Sequence, residues 1–354
     1  MNKSLYFLFS LALVSFCLTR SHAGNPDRQG EAGAPELLMN PWARSSGLHS
    51  MTTSMIAGVE AMRLNIGGLA RINKTEIILA HTQYLKGTDI SIEALGIAQK
   101  IGKNSVLGIS LMSLNFGDIP RTTTTQPEGT GSTFTPRYFN LGLGFAHMFE
   151  NKVSVGVLFR AVTEGIEDAT ATAMALDAGV QYVSGEKDNF KFGISLRNIG
   201  SRMHFSGQGL SESLTITDFD GIHEVTIDQR ATAFELQSVL NIGLSYDFYS
   251  GANHRITVVG NYTSNAFSED QIGGGIEYAF KELVMIRGGY KLDFGQVAAS
   301  EFNSEPLMTG LAGGITLNVP VSKNDNAPKV AFDYAYQTTK IYDGNHHFSI
   351  RITL

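Results

Sequence analysis

Four histidines could serve as general bases: His81, His147, His204 and His223. A hydrolytic site would need a nucleophile and an orienting acid gathered around one of them. None of the four lies in a motif that supplies those partners, so the chain reads as a non-enzyme. His346-His347 invites a metal reading. Adjacent residues of a strand point to opposite faces, so the two cannot share one ion. Gly142-Leu143-Gly144 begins like a dinucleotide loop, but His147 stands where the third glycine belongs and no helix pattern follows. Asp218, Asp220, Glu224 and Asp228 are acidic without calcium-loop spacing. No cofactor or metal is expected.

The elements around these residues are easier to read. The stretch HHFSIRITL alternates strictly: Phe348, Ile350, Ile352 and Leu354 are apolar, and Ser349, Arg351 and Thr353 are polar. That period of two describes a strand with one apolar and one polar face. It recurs along the chain, for example in Phe139–Phe145, Met174–Tyr182, Phe190–Leu196, Leu240–Phe248 and Val330–Tyr336, with Gly, Asn, Ser and Asp on the second face. About fourteen strands are expected, near 75–85, 89–101, 105–116, 136–148, 151–163, 170–183, 188–200, 233–249, 254–265, 269–280, 283–294, 308–320, 328–338 and 345–354. Strands of about ten residues suit a tilted crossing of a bilayer. An even count suits a bacterial outer-membrane barrel.

Connection lengths alternate as well. The links at 102–104, 150–152, 185–189, 250–253, 281–282 and 322–329 are short, whereas 117–135, 201–232 and 295–307 are long and fall on the other side. Short periplasmic turns and long extracellular loops are the barrel pattern. Phe149, Tyr182, Tyr246, Phe248, Tyr278 and Phe280 occupy the short-turn ends of apolar faces, where an interfacial aromatic girdle belongs. The fold class expected is therefore all-β, a transmembrane outer-membrane β-barrel of about 14 antiparallel strands, with HHFSIRITL as its closing strand. A soluble sandwich is the competing architecture, and it would need a far larger packed core.

The N-terminus fits export. Lys3, the apolar run Leu5–Leu18 and Ser21-His22-Ala23 read as a signal peptide over residues 1–23. The single cysteine, Cys17, lies inside it, which excludes disulfides and thiol chemistry from the remainder. Without Lys3 and Arg20, 25 basic residues face 33 acidic ones, a net charge of −8. No basic block exists, so no nucleic-acid partner is expected. Residues 72–354 form the expected barrel. Residues 24–71 alternate poorly and are rich in small residues, too apolar for disorder, and are expected to fold into the lumen as a plug or hatch.

GAPELLMNPWARSSGL and NIGGLARINKTEIILAHTQYL resemble the opening segments of the PorV/PorQ family, and ISLRNIG and MIRGGYKL resemble its later strands. The resemblance covers nearly the whole chain after residue 23. It implies a fourteen-stranded barrel similar to the FadL fatty-acid transporters. It also implies a place in the type IX protein secretion system of Bacteroidota, which serves gliding motility. There the chain would bind outer-membrane lipid, the translocon barrel, or secreted cargo proteins carrying C-terminal signal domains, as a PorV-like adaptor or shuttle. The family's Pro-Asp-Ala-Arg is Pro41-Trp42-Ala43-Arg44 here, and its Asn-Pro-Ala is Asn65-Ile66-Gly67, which marks a divergent paralogue. By this resemblance Asn40, Pro41, Arg44 and Asn65 are hatch residues. The alternative function is a FadL-like channel for hydrophobic small molecules. Loop 201–232 interleaves its acids with Phe205, Leu210, Leu214, Phe219 and Ile222, which makes it a candidate partner-docking loop.

Overall fold

The computed structural model describes residues 28, 30–218, 221–293, 310–322, 328–339 and 342–354. The expected signal peptide, the 295–307 connection and Phe219 lie outside them. Fourteen strands close into one antiparallel barrel. They are β1 (Thr75–Gln83), β2 (Ser91–Ile101), β3 (Ser105–Asn115), β4 (Arg137–Phe149), β5 (Val153–Ile166), β6 (Ala169–Ser184) and β7 (Phe190–Gly200). The second half is β8 (Val239–Ser250), β9 (His254–Asn265), β10 (Gln271–Phe280), β11 (Val284–Asp293), β12 (Gly310–Pro320), β13 (Lys329–Gln337) and β14 (Asn345–Thr353). Neighbours in sequence are neighbours in the wall, and β14 pairs with β1 from Glu76↔Thr353 to Gln83↔His346. Closure leaves no sheet edge, the condition for a sheet to sit in hydrocarbon.

The wall is regular. One ladder, β6–β7, carries a register shift between Leu196 and Ile199, where Asn198 takes a positive φ of 60°. The other thirteen keep one register throughout. Alternation decides the faces. On β6, Met174, Leu176, Val180 and Tyr182 are exposed outward, while Ala175, Asp177 and Gln181 are buried inward. On β14, Phe348 and Ile350 point out, and His347, Ser349 and Arg351 point in. All six expected girdle aromatics are exposed on the outer surface. An apolar outer band of this kind belongs in lipid. The protein is an integral outer-membrane β-barrel, crossed by strands. No helix among the described residues is long and apolar enough to span a membrane.

Three departures from the sequence expectation have physical causes. The strand expected at 233–249 begins at Val239; Glu235–Leu236 instead pairs in parallel with Ala32–Gly33 of the N-terminal segment. Loop 117–135 contains a short pairing of Ile119–Pro120 with Thr133–Phe134, and loop 201–232 contains a full hairpin, 211–228. Leu158, which breaks the polar rhythm of β5, is buried among the apolar residues of the hatch. There it meets an apolar surface rather than water, so the break in alternation is a packing contact.

Candidate functional site

Residues 34–72 lie inside the barrel. Their helices run for only one or two turns: 3-10 helix Pro35–Leu38, α1 (Ala43–Ser46), α2 (Ala61–Leu64) and 3-10 helix Ile66–Arg71. Such a chain leaves many backbone groups without internal partners, and buried ones must find them elsewhere. The polar inner faces of the wall provide them. Gln181 Nε2 donates to the carbonyls of Thr53 and Ile56 at 3.1 and 2.9 Å. Ser195 Oγ donates to Leu64 O at 2.7 Å, and the Ala43 N–H donates to Ser349 Oγ at 3.0 Å. The Val59 N–H donates to Glu76 Oε1 at 2.7 Å. This is why the inner faces read as polar although little of the interior is wet.

The four expected hatch residues are brought into this contact, and each has a visible role. The amide nitrogen of Asn40 lies within 2.9–3.2 Å of the hydroxyls of Ser45, Ser46 and Ser50, and ties the turn around α1 together. The Pro41 carbonyl accepts from Thr82 Oγ1 of β1 at 3.3 Å. Asn65 caps the second 3-10 helix by accepting from the Gly67 N–H at 3.1 Å. Its amide nitrogen donates to Thr53 O at 2.8 Å and, across to β6, to Val180 O at 3.0 Å. Gly179 leaves room for it: a Cβ there would stand 2.1 Å from Asn65 Oδ1. Arg44 borders a small cavity with Glu277, and the carboxylates of Glu277 and Glu60 offset the burial of its charge.

Sequence reading missed the buried ion pairs. Arg160 of β5 meets Asp177 of β6 at 2.6 Å, both almost wholly buried. Arg160 also donates to Asn140 Oδ1 at 3.0 Å and to the hatch carbonyl of Met62 at 3.2 Å. Across the lumen, Arg287 meets Glu277 at 2.8 Å and Thr316 Oγ1 at 2.7 Å, and Thr316 in turn donates to Asp333. Arg351 lies 3.9 Å from Glu60 of the hatch and 3.8 Å from Asp333. Glu60 also accepts from the Ser45 N–H at 3.1 Å. Burial pushes the Glu60 carboxyl up, and Arg44 and Arg351 pull it back down. Burial takes the His49 imidazole down to about 3, helped by Lys291 and His347. The signal that could have found these pairs is the charged residues at inward positions of adjacent strands. Their partners depend on register, which period-two alternation alone does not reveal.

The hatch faces two different walls. The Ile66–Arg71 turn packs on β3–β6, whereas α1 packs on β12–β14. At the extracellular end of the lumen, apolar side chains of the hatch, the wall and the long loop pack into one cluster. Leu37, Tyr84, Leu114, Tyr138 and Met203 are buried there, with Met39, Phe116, Phe205 and Phe234 half-buried around them. Of the docking-loop residues, Phe205 packs against this cluster, 6.3 Å from the Phe234 ring. Leu210 sits at the base of the 211–228 hairpin, and Leu214 and Ile222 lie on it, exposed. The structure thus separates Phe205 from Leu214 and Ile222.

The histidines are scattered. His81 faces outward and pairs with Glu93 at 2.6 Å. His147 meets Ser105 Oγ at 2.8 Å on the outer surface of the periplasmic end. His204 and His223 lie in the extracellular loop, both exposed. His346 faces outward and the buried His347 inward, as alternation requires. Next to His81 and Glu93, the outer wall across β2, β1, β14 and β13 holds an apolar groove of about 660 Å³.

No protein-family model matches the sequence, and no curated protein sequence matches it either. Solved structures do share the fold. The P. putida toluene transporter TodX superposes with a TM-score of 0.55 at 12% identity, over 89% of this chain and 97% of TodX. The Ralstonia pickettii toluene transporter TbuX gives 0.54 at 12%, over 88% and 97%. A Pseudomonas aeruginosa FadL homologue gives 0.51 at 9%, over 88% and 97%. The chain therefore has the FadL-like barrel fold.

Proposed function

We propose that the protein is a hatch-gated outer-membrane barrel that takes up hydrophobic small molecules. The observation that carries this reading is the apolar cluster that fills the extracellular end of the lumen and includes Leu37 and Met39 of a hatch held by non-covalent contacts alone, so that movement of the hatch would open an apolar lining. An apolar solute leaving water would gain free energy there in proportion to the area it buries. The shared fold with TodX and TbuX, both toluene transporters, supports the same reading. The role is binding and passage rather than catalysis. The chain beyond Cys17 has no cysteine, so the hatch can be locked cleanly by a disulfide between Ala43→Cys and Ser349→Cys. In intact cells, uptake of radiolabelled toluene should rise on expression, stop when the lock is oxidised and return on reduction. Uptake no faster than in cells lacking the protein would sink the proposal.

A second reading, an adaptor of the type IX secretion system, is favoured by the tightness of the same interior. The hatch is closely packed in the lumen, and the ladders of β1–β4 are unbroken, which leaves no lateral gap there. An adaptor can stay sealed. Its test is gentle extraction from the native membrane: a giant barrel protein, or proteins sharing a C-terminal signal domain, should co-purify.

A further inference from the structure

The hairpin 211–228 stands outside the barrel on its extracellular side, Ser211–Asp218 against Gly221–Asp228. Register sorts its side chains onto two faces. Leu214 lies opposite Val225 and Glu212 opposite Ile227, which puts Leu214, Ile216, Val225 and Ile227 on one face. Glu212 and His223 share that face, and Ser213, Thr215, Thr226 and Ile222 lie on the other. The four apolar residues keep 40–46% of their surface exposed. At the base of the ribbon the Gln229 N–H donates to Leu210 O at 2.8 Å, and just before it the Gly209 N–H donates to Asp168 O at 3.3 Å.

A two-stranded ribbon alone in water is marginally stable, because it has no layer to bury its apolar side. This one is amphipathic without such a layer. Charge selects what would cover it. Residues 211–228 contain five acidic residues and no Lys or Arg. Two such ribbons would repel, which disfavours a second copy. An anionic lipid surface would repel it too. We infer that the ribbon docks an extracellular protein, whose exposed apolar strand or sheet face is bordered by Lys or Arg and lies on Leu214, Ile216, Val225 and Ile227. This goes beyond the uptake reading and does not depend on it, because the ribbon lies outside the lumen.

The test uses the full-length protein in detergent micelles and a fluorescent peptide of alternating Val and Lys. Its controls are the matching Val/Glu peptide and vesicles containing phosphatidylglycerol. The Val/Lys peptide should bind about tenfold or more tightly than Val/Glu, and added salt should weaken it. The double variant Leu214→Ser with Val225→Ser should lose about tenfold or more of that affinity, while Thr215→Asn on the polar face should not. Heat-modifiable electrophoretic mobility reports that the barrel is folded in each variant. Equal binding by wild type and the double variant would overturn the inference. So would preference for the Val/Glu peptide, or vesicle binding that depends on Leu214 and Val225 while peptide binding does not.

Discussion

Residues 34–72 and residues 211–228 are not part of the barrel wall, and they have opposite surroundings. The first has little regular structure, yet nearly all of it is buried and its backbone bonds to the wall. The second is a regular hairpin with all its backbone ladder made, and every described residue is exposed. Regularity and burial are therefore uncoupled here. Irregular chain survives in the lumen because wall side chains replace the missing secondary-structure bonds. The ribbon needs no such help for its backbone, but its apolar face is left without a layer.

The contrast breaks most visibly at the wall. Asp177→Ala leaves Arg160 buried and unpaired, and a broken buried pair of this kind costs about 3–5 kcal/mol. Because Arg160 also holds Met62 O of the hatch, hatch residues should become accessible to protease in the intact membrane. Replacing Arg160 by Met in the same chain should recover much of the loss, and failure to recover would mean the pair is not what holds this region. A smaller effect is expected at Gly179→Val. Its Cβ would meet Asn65 Oδ1, and overpacking costs about 1–3 kcal/mol. Denaturant midpoints of the detergent-solubilised protein would measure it. Asn65→Ala should cost less in the Gly179→Val background than in the wild type, because removing the Asn65 amide also relieves the clash.

How much of this was legible depended on the kind of signal. The strands around Met174–Tyr182 and Phe190–Leu196 could be placed because each residue reports its own face. Asn40, Pro41, Arg44 and Asn65 could be placed only through resemblance, since nothing in NPWARSSG states which wall it meets. The Arg160–Asp177 and Arg287–Glu277 pairs were invisible, although Asp177 and Glu277 stood on recognised polar faces. Pairing is a property of strand register, and a one-residue slip would give different partners. The hairpin at 211–228 was read as a loop because its acidic residues and flanking glycines mask a short alternation in LTIT and EVTI.

Acid should act on the hatch and leave the ribbon alone. His49 has an ordinary pKa of 6.5 when exposed and about 3 in its buried place. The released hatch therefore binds the proton more readily than the docked one. Stability from a neutral buried His49 is fully present above pH 6.5 and falls as pH drops toward 3, by about 1.4 kcal/mol per unit. His49→Asn keeps a side chain tolerant of its positive φ of 52° and removes that proton site. The Glu60 carboxyl, pushed up by burial, acts in the opposite sense and is shared by both proteins. The difference between wild type and His49→Asn in hatch proteolysis between pH 7 and 4 isolates the histidine. Identical pH profiles would show that His49 is not excluded from protonation in the docked hatch.

The smallest effect expected is the sharpest test of the contrast. Leu214→Ser with Val225→Ser replaces two branched apolar side chains, a change that in the hatch would cost about 2–5 kcal/mol for each buried one. On the ribbon both are exposed and touch no hatch residue, so the barrel's denaturant midpoint should move by less than about 0.5 kcal/mol equivalent. Hatch accessibility to protease should not change at all. The ribbon itself should lose order, visible as faster amide exchange over 211–228 alone. A drop in barrel stability, or a loosened hatch, would mean that the apolar face already packs against the molecule that carries it. The two regions would then be coupled, and the case for an outside partner would fall with their separation.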